Sequence, residues 1–181
     1  APVLTQPQKI TLARDMLSGL AHLHSHAIVH LNLHSSAIVV HVHCGEPFAQ
    51  ILDLAGAAIS GTVAECASGP MEYMAPELLA GCTDPSSFAD VWSAAVITAF
   101  VLTGRSLLGQ SPADHGQALI NIFEVLGPLS SIELDNFRHL PNWSSIYEVS
   151  EPAAAWSDDL AGCPGAVSLL RQMLFFPWWR F

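Results

Sequence analysis

The residues of this chain that could do chemistry cluster between Ile28 and Gly56, in the segment IVHLNLHSSAIVVHVHCGEPFAQILDLAG. Its β-branched apolar runs predict short strands, and the polar side chains of Asn32, His34 and Asp53 follow them. A carboxamide can orient a hydroxyl group but cannot accept its proton near neutral pH, whereas a carboxylate can bind a cation. Each strand therefore ends next to a position where a catalytic group could stand.

The nine histidines suggest a metal site as a second interpretation. His22, His26 and His30 are four residues apart, a spacing that places side chains on one face of a helix, and His41 and His43 alternate along a predicted strand. However, we expect the helix to end near His26, and no cysteine or carboxylate stands at ligand spacing. We therefore interpret these side chains as surface or hinge histidines.

Neither a hydrolase site nor a cysteine framework is supported. The sequence contains no G-x-S-x-G motif, and its four cysteines, Cys44, Cys66, Cys82 and Cys163, form no C-x-x-C pair. We interpret them as reduced thiols of an intracellular protein, with the cytoplasm favoured over the nucleus. The amino terminus has no basic region followed by an apolar run, so no signal peptide is predicted.

The composition is that of a globular domain with few charges. The chain has 181 residues, of which 51% are hydrophobic and 12% charged, and its net charge is -10. This balance argues against a nucleic-acid or anionic-membrane surface, because both require a basic footprint. The scarcity of charged residues leaves apolar surface for a protein partner.

The patterns predict a mainly α domain with one small β-hairpin sheet. We assign residues 1–10 to a leader and residues 11–181 to a single domain. Helices are predicted over 8–25, 86–102, 116–126 and 166–174, with a short one opened by Ala75-Pro76-Glu77. Strands are predicted at 28–29, 38–40 and 50–54, with a hairpin turn over 41–48 and an irregular loop over 56–71.

Several motifs in order make the chain resemble the carboxyl-terminal lobe of a eukaryotic-type protein kinase. IVHLNLHSSA matches the frame of the catalytic loop, and ILDLAG matches the frame of the metal-binding triplet. GPMEYMAPELL resembles the end of the activation segment, ADVWSAAVITAFVLTGR the central helix, and LLRQMLFFPWWR the closing helix. NIFEVLGPLS is similar to the cyclin-dependent and mitogen-activated kinase branch.

The resemblance implies structural roles for four residues. Glu77 is expected to pair with Arg180, and loss of one partner of such a buried pair costs roughly 3–5 kcal/mol. Asp90 is expected to accept hydrogen bonds from the backbone of the catalytic loop. His30 is expected to support the strand that leads to Asp53.

The resemblance also implies that most of the chemistry of phosphoryl transfer is missing. The base position holds Asn32, the position of the phosphate-contacting lysine holds His34, and the position of the second metal ligand holds Ala37. Pro70 replaces the threonine that braces the base, and Leu31 replaces the arginine that reads a phosphate on the activation loop. A transferase needs a base, bridging metal ions and neutralised charge, so we expect this lobe to be catalytically impaired.

Asp53 is the one catalytic carboxylate still in register, and Mg·ATP is the cofactor that the resemblance implies for it. Its triplet ends in Ala55, although Gly56 follows. A single carboxylate is a poor magnesium site without substrate phosphates, so the sequence leaves the binding of Mg·ATP open. The chain also has no glycine-rich phosphate loop, and its lysine is Lys9 near the amino terminus. We expect no amino-terminal lobe in this chain, which we interpret as truncated at both ends.

Three functions remain open. The chain is a pseudokinase lobe that acts by binding proteins, a serine/threonine kinase fragment that transfers phosphate from ATP once an upstream lobe completes it, or a decaying copy without function. Residues 175–181, FFPWWRF, are unusually aromatic. They either pack against a following helix or form a docking patch.

Overall fold

Helices and two small sheets form the part of the chain that a computed structural model describes, residues 4–62, 69–83, 86–109, 111–127, 129, 134–135, 137–144, 160 and 163–174. The helices are α1 (Gln6–Ser25), α2 (Pro76–Leu79), α3 (Ser87–Thr103), α4 (His115–Leu126) and α5 (Pro164–Leu174). The strands are β1 (Ile28–Val29), β2 (Ile38–His43), β3 (Glu46–Ile51) and β4 (Ala58–Ile59). The predicted mainly α class with a small sheet component is confirmed.

Helix α1 begins earlier than predicted because its first turn is capped. The Thr5 side chain accepts a hydrogen bond from the Gln8 backbone amide, and the Gln8 side chain accepts one from the Thr5 amide. This reciprocal capping box satisfies amides that the helix leaves without partners. Residues 6–10, predicted as part of a leader, are therefore helical. Lys9 Nζ also donates to the Leu102 carbonyl oxygen over 3.0 Å, which fastens this segment to the end of α3.

Helix α3 forms the centre of the lobe, and α1 and α5 pack against it. It begins after Ser86, whose side chain caps the Phe88 amide, and ends at Gly104, where φ is 75°. Its buried side chains, including Trp92 and Ile97, belong to the main hydrophobic core. Burial on nearly all sides explains its almost unbroken apolar sequence. Within the described residues, no helix combines the length and hydropathy required to cross a membrane.

The β2–β3 hairpin is longer and its turn tighter than predicted. The register runs from Ile38 opposite Ile51 to His43 opposite Glu46, so only Cys44 and Gly45 form the turn. Both have positive φ, 51° and 83°, as the common two-residue hairpin turns require. The predicted turn over 41–48 was therefore too wide: pairing continues through this stretch despite its glycine and proline.

A second sheet of two strands was not predicted. Strand β4 pairs antiparallel with β1, with Ile59 opposite Ile28 and Ala58 opposite Val29. The Ser60 amide extends this pairing by donating to the Ala27 carbonyl oxygen over 2.7 Å. Strand β4 falls in the segment 56–71 that was predicted to be irregular, because two residues are too short to show a strand period. The sheet joins the loop after β1 to the segment that follows Asp53.

Candidate functional site

The carboxylate of Asp90 on α3 binds the start of the loop between β1 and β2, residues 30–37. Asp90 is buried, and its two oxygens accept hydrogen bonds from the His30 amide over 2.7 Å and the Leu31 amide over 2.9 Å. The His24 ring nitrogen Nε2 lies 2.9 Å from the same carboxylate. Three donors from the end of α1 and the start of the loop therefore converge on a single buried side chain.

These hydrogen bonds hold Leu31 in an unfavourable backbone conformation. Its φ is 61°, in the left-handed region that bulky side chains rarely occupy. Such a conformation costs about 1–3 kcal/mol and persists only where the surroundings enforce it. The Leu31 side chain is buried. An arginine is expected at this position by resemblance, but here the side chain adds to the core instead of offering a charge.

His30 connects the loop to the chain that leads to Asp53. Its side chain is fully buried, and Nε2 lies 3.0 Å from the Leu52 carbonyl oxygen while Nδ1 accepts from the Asn32 amide over 3.3 Å. These partners require the neutral ring with its proton on Nε2. The Leu52 amide in turn donates to the Ala37 carbonyl oxygen over 2.8 Å. Both ends of the loop are thus joined to the residue before Asp53.

Asp53 lies on the surface in the left-handed region, with φ 62° and ψ 64°. It precedes the 3₁₀ turn Leu54–Gly56, which contains both Ala55 and Gly56. Its neighbours Leu52 and Leu54 are 41% and 47% exposed, large values for leucine. The carboxylate is therefore accessible, but its surroundings are apolar.

Asn32, at the base position, is enclosed by the chain that approaches α2. Its Oδ1 atom is buried and has no hydrogen-bond partner among the described residues. Gly69 lies so close that a Cβ atom there would collide with Oδ1. Asn32, Gly69, Pro70 and Asp90 all border a cavity of about 10 Å³, which is the size of one water molecule. The carboxamide oxygen is therefore enclosed, although the residue as a whole is only half-buried.

His34 and Ala37 do not contribute the groups that the resemblance assigns to their positions. The His34 ring is half-buried and tilted against Tyr73, with ring centroids 6.3 Å apart. The Tyr73 hydroxyl donates to Ser35 Oγ over 3.0 Å. Ala37 is buried and carries no ligand atom.

The residues described do not fit a resident magnesium ion. No group of three or more histidine, cysteine or carboxylate side chains lies at metal-binding distances in the described part of the chain. Asp53 has no second protein ligand at Ala37, and magnesium requires a near-complete octahedron of oxygen atoms. The described histidines form no such group either: His22 and His26 contact each other, with ring centroids 4.5 Å apart, and the His30 ring is hydrogen-bonded within the loop.

Glu77 on α2 is a buried acid without a partner in the described region. The side chain is 1% exposed, and neither carboxylate oxygen has a hydrogen-bond partner among the described residues. Burial raises the pKa of Glu77 to about 7, because a low-dielectric environment disfavours the charged form. Arg180, the partner implied by the resemblance, lies outside the described residues, as do residues 175–181 with the aromatic segment.

Sequence reasoning missed two contributors to this site. His24 was not among the histidines considered, yet it contacts Asp90. Ser93, one helical turn after Asp90, donates to the Tyr73 carbonyl oxygen over 2.7 Å and so fixes the turn beside Asn32. The i, i+3 spacing from Asp90 to Ser93 on one apolar helix was the available signal, since polar side chains on a buried helix require partners.

A mainly helical domain whose central helix holds a loop of this frame has part of a protein kinase fold. Residues 2–175 match the protein kinase domain family. The chain belongs to this family.

Two relatives place the chain beside the cyclin-dependent and mitogen-activated branch. Cyclin-dependent kinase 1 of Encephalitozoon cuniculi (strain GB-M1) is 30% identical over 166 residues, which cover 90% of this chain and 54% of the relative. Mitogen-activated protein kinase p38b of Drosophila melanogaster is 32% identical over 174 residues, covering 90% of this chain and 44% of the relative. The chain thus spans about half the length of these relatives.

The contacts of Asp90 predict a large effect of a small substitution. Asp90→Asn keeps the shape but turns one acceptor into a donor facing the His30, Leu31 or His24 donors. We expect a loss of about 3 kcal/mol in the free energy of unfolding, measured by urea denaturation. The control is Asp114→Asn, because the exposed Asp114 caps α4 by accepting from Gln117, and asparagine caps equally well. Equal stabilities of the two variants would contradict this role of Asp90.

Because burial raises the pKa of Glu77, we expect the free energy of unfolding to fall as pH rises. The folded chain binds this proton more tightly than the unfolded chain, so stability is complete below about pH 4.5 and declines until about pH 7. The loss is about 3 kcal/mol, since one pKa unit corresponds to about 1.4 kcal/mol. Urea denaturation across this range should show the decline in the wild type and not in Glu77→Gln.

Glu124→Gln, an exposed charge change on α4, should leave the decline intact. A stability that instead rises with pH, and does so only while Glu77 is present, would mean that an ion pair keeps this carboxylate charged. That result would favour the pairing with Arg180.

Proposed function

We propose that this kinase-like lobe is catalytically impaired and acts by binding another protein. The observation that carries the proposal is the state of the base position. Asn32 has no carboxylate, its oxygen is enclosed, and Ala37 offers no ligand for a second metal ion. A transferase depends on positioning and charge stabilisation at these positions, whereas a binding module needs only the folded frame.

An apolar groove between three helices supports a binding role. The groove has a volume of about 750 Å³ and is bordered by α1, the end of α3 and the start of α5. Ile10 and Leu169 line it and are 52% and 40% exposed. Arg14 is the one charged residue among the described side chains that line it. We propose as occupant an amphipathic helix of a partner protein, with an apolar face for the groove and an acidic side chain for Arg14.

A second candidate is phosphate transfer from ATP to serine or threonine once an upstream lobe is supplied. One observation favours it: Asp53 is accessible, and His30 and Asp90 position the loop before it. The missing base weighs against it, because an amide cannot accept the proton of the attacking hydroxyl.

The binding proposal is tested with a displayed library of helical peptides selected against the wild-type chain. We expect selected peptides to carry apolar residues at i, i+3 or i+4, and i+7, with an acidic residue alongside. Leu169→Asp should weaken their binding about tenfold or more, because it places a charge in the apolar groove. Affinity is measured by fluorescence anisotropy.

Val42→Asp provides the matched control, since Val42 is exposed on the hairpin away from the groove. Peptides that bind Leu169→Asp as tightly as the wild type would rule out the groove as the binding surface.

A further inference from the structure

The side chain of Asn32 packs against Gly69, in the segment that leads to α2. Gly69 has a φ of 147°, and a side chain there would meet Asn32 Oδ1. This conformation is readily available only to glycine. The absence of a side chain at position 69 thus lets the backbone approach Asn32 closely, and Oδ1 is buried as a result.

No described group donates a hydrogen bond to this oxygen. Pro70 follows Gly69, and proline has neither a backbone N–H nor a polar side chain. His34 lies against Tyr73, and the Tyr73 hydroxyl donates to Ser35. Pro70 therefore offers this oxygen no donor, and the His34 ring is not hydrogen-bonded to it.

The charge around position 32 is also unsuited to an anion. Asp90, Tyr73 and Ser93 border the same cavity as Asn32. In the loop itself, the His30 ring accepts a hydrogen bond from the Asn32 amide, and the His34 ring lies against Tyr73. Asp90 borders the same water-sized cavity and already accepts from three donors. A second carboxylate there would be desolvated and would face a like charge, and both effects raise a carboxyl pKa.

We infer that Asn32 and Pro70 are a matched pair: proline removes the donor that a carboxylate at position 32 would require, and a neutral amide tolerates its loss. Restoring aspartate at position 32 alone therefore does not rebuild a base in this chain. This inference rests on the proposed function and adds to it a second reason why position 32 cannot act as a base: the missing hydrogen-bond donor at position 70.

Asn32→Asp tests the pair without any measurement of activity. We expect the pKa of the introduced carboxyl, followed by carbon NMR of the full chain, to lie above the ordinary range of aspartate. Because a raised pKa in the folded state lowers stability at higher pH, the melting temperature should fall further below that of the wild type at about pH 8 than at about pH 5. Adding Pro70→Thr to Asn32→Asp should lower this pKa and recover part of the difference.

Gln117→Glu is the charge-matched control, because Gln117 is exposed, and it should show no such difference between the two pH values. An ordinary pKa for the introduced carboxyl, or no response to Pro70→Thr, would overturn the inference. If Asn32→Asp fails to fold at both pH values while Asn32→Ala folds, the inference is also overturned, because the protonated acid is neutral. Since no phosphate transfer is measured, these results are independent of the peptide-binding test.

Discussion

The buried carboxylate of Asp90 is the interaction on which the rest of the site depends. It joins α3 to the end of α1 and to the start of the loop between β1 and β2, through His24, His30 and Leu31. A buried charge is tolerated only when its hydrogen bonds are complete, and here the donors are two backbone amides and one ring. Because those amides belong to the loop itself, satisfying Asp90 also fixes the loop, including the unfavourable φ of Leu31.

The frame around this carboxylate does not require the residues that perform phosphate transfer. Asp90 is bonded to backbone amides, and His30 uses the Leu52 carbonyl oxygen and the Asn32 amide, so side chains at neighbouring positions can change without breaking these links. Leu31 and Ala37 have become part of the buried interior. This separation lets a chain of the protein kinase family keep the loop geometry with asparagine at position 32 and alanine at position 37.

Much of the fold could be predicted from the sequence because its long elements have strong local signals. Helix α3 is bounded by a serine cap and a glycine with positive φ, and apolar residues at helical spacing mark α1 and α4. The start of α1 was misplaced because its cap, Thr5, precedes the apolar pattern. Strand β4 was missed because it is formed by tertiary pairing that no run of two residues reveals. The hairpin turn at Cys44 was predicted, but too wide.

The positions of the candidate site residues along the chain could be predicted, but their burial and their contacts could be predicted only in part. Resemblance located Asn32, Asp53, His30 and Asp90, since these lie within motifs of fixed spacing. The Asn32 oxygen is enclosed because Gly69, which lies far along the chain, packs close to it. The spacing of residues within a motif does not reveal such a contact. The same holds for His24, which reaches Asp90 only after α1 and α3 have packed.

The most direct test of the central claim is a phosphate-transfer measurement on the wild-type chain with Asp53→Ala beside it. Each protein is incubated with magnesium, radiolabelled ATP and casein, and label on casein and on the chain is counted. If the loop geometry is retained but the catalytic base is missing, both proteins should show the same background level of label. Incorporation by the wild type that disappears in Asp53→Ala would contradict the account, because it would show that Asp53 and this loop still perform the chemistry.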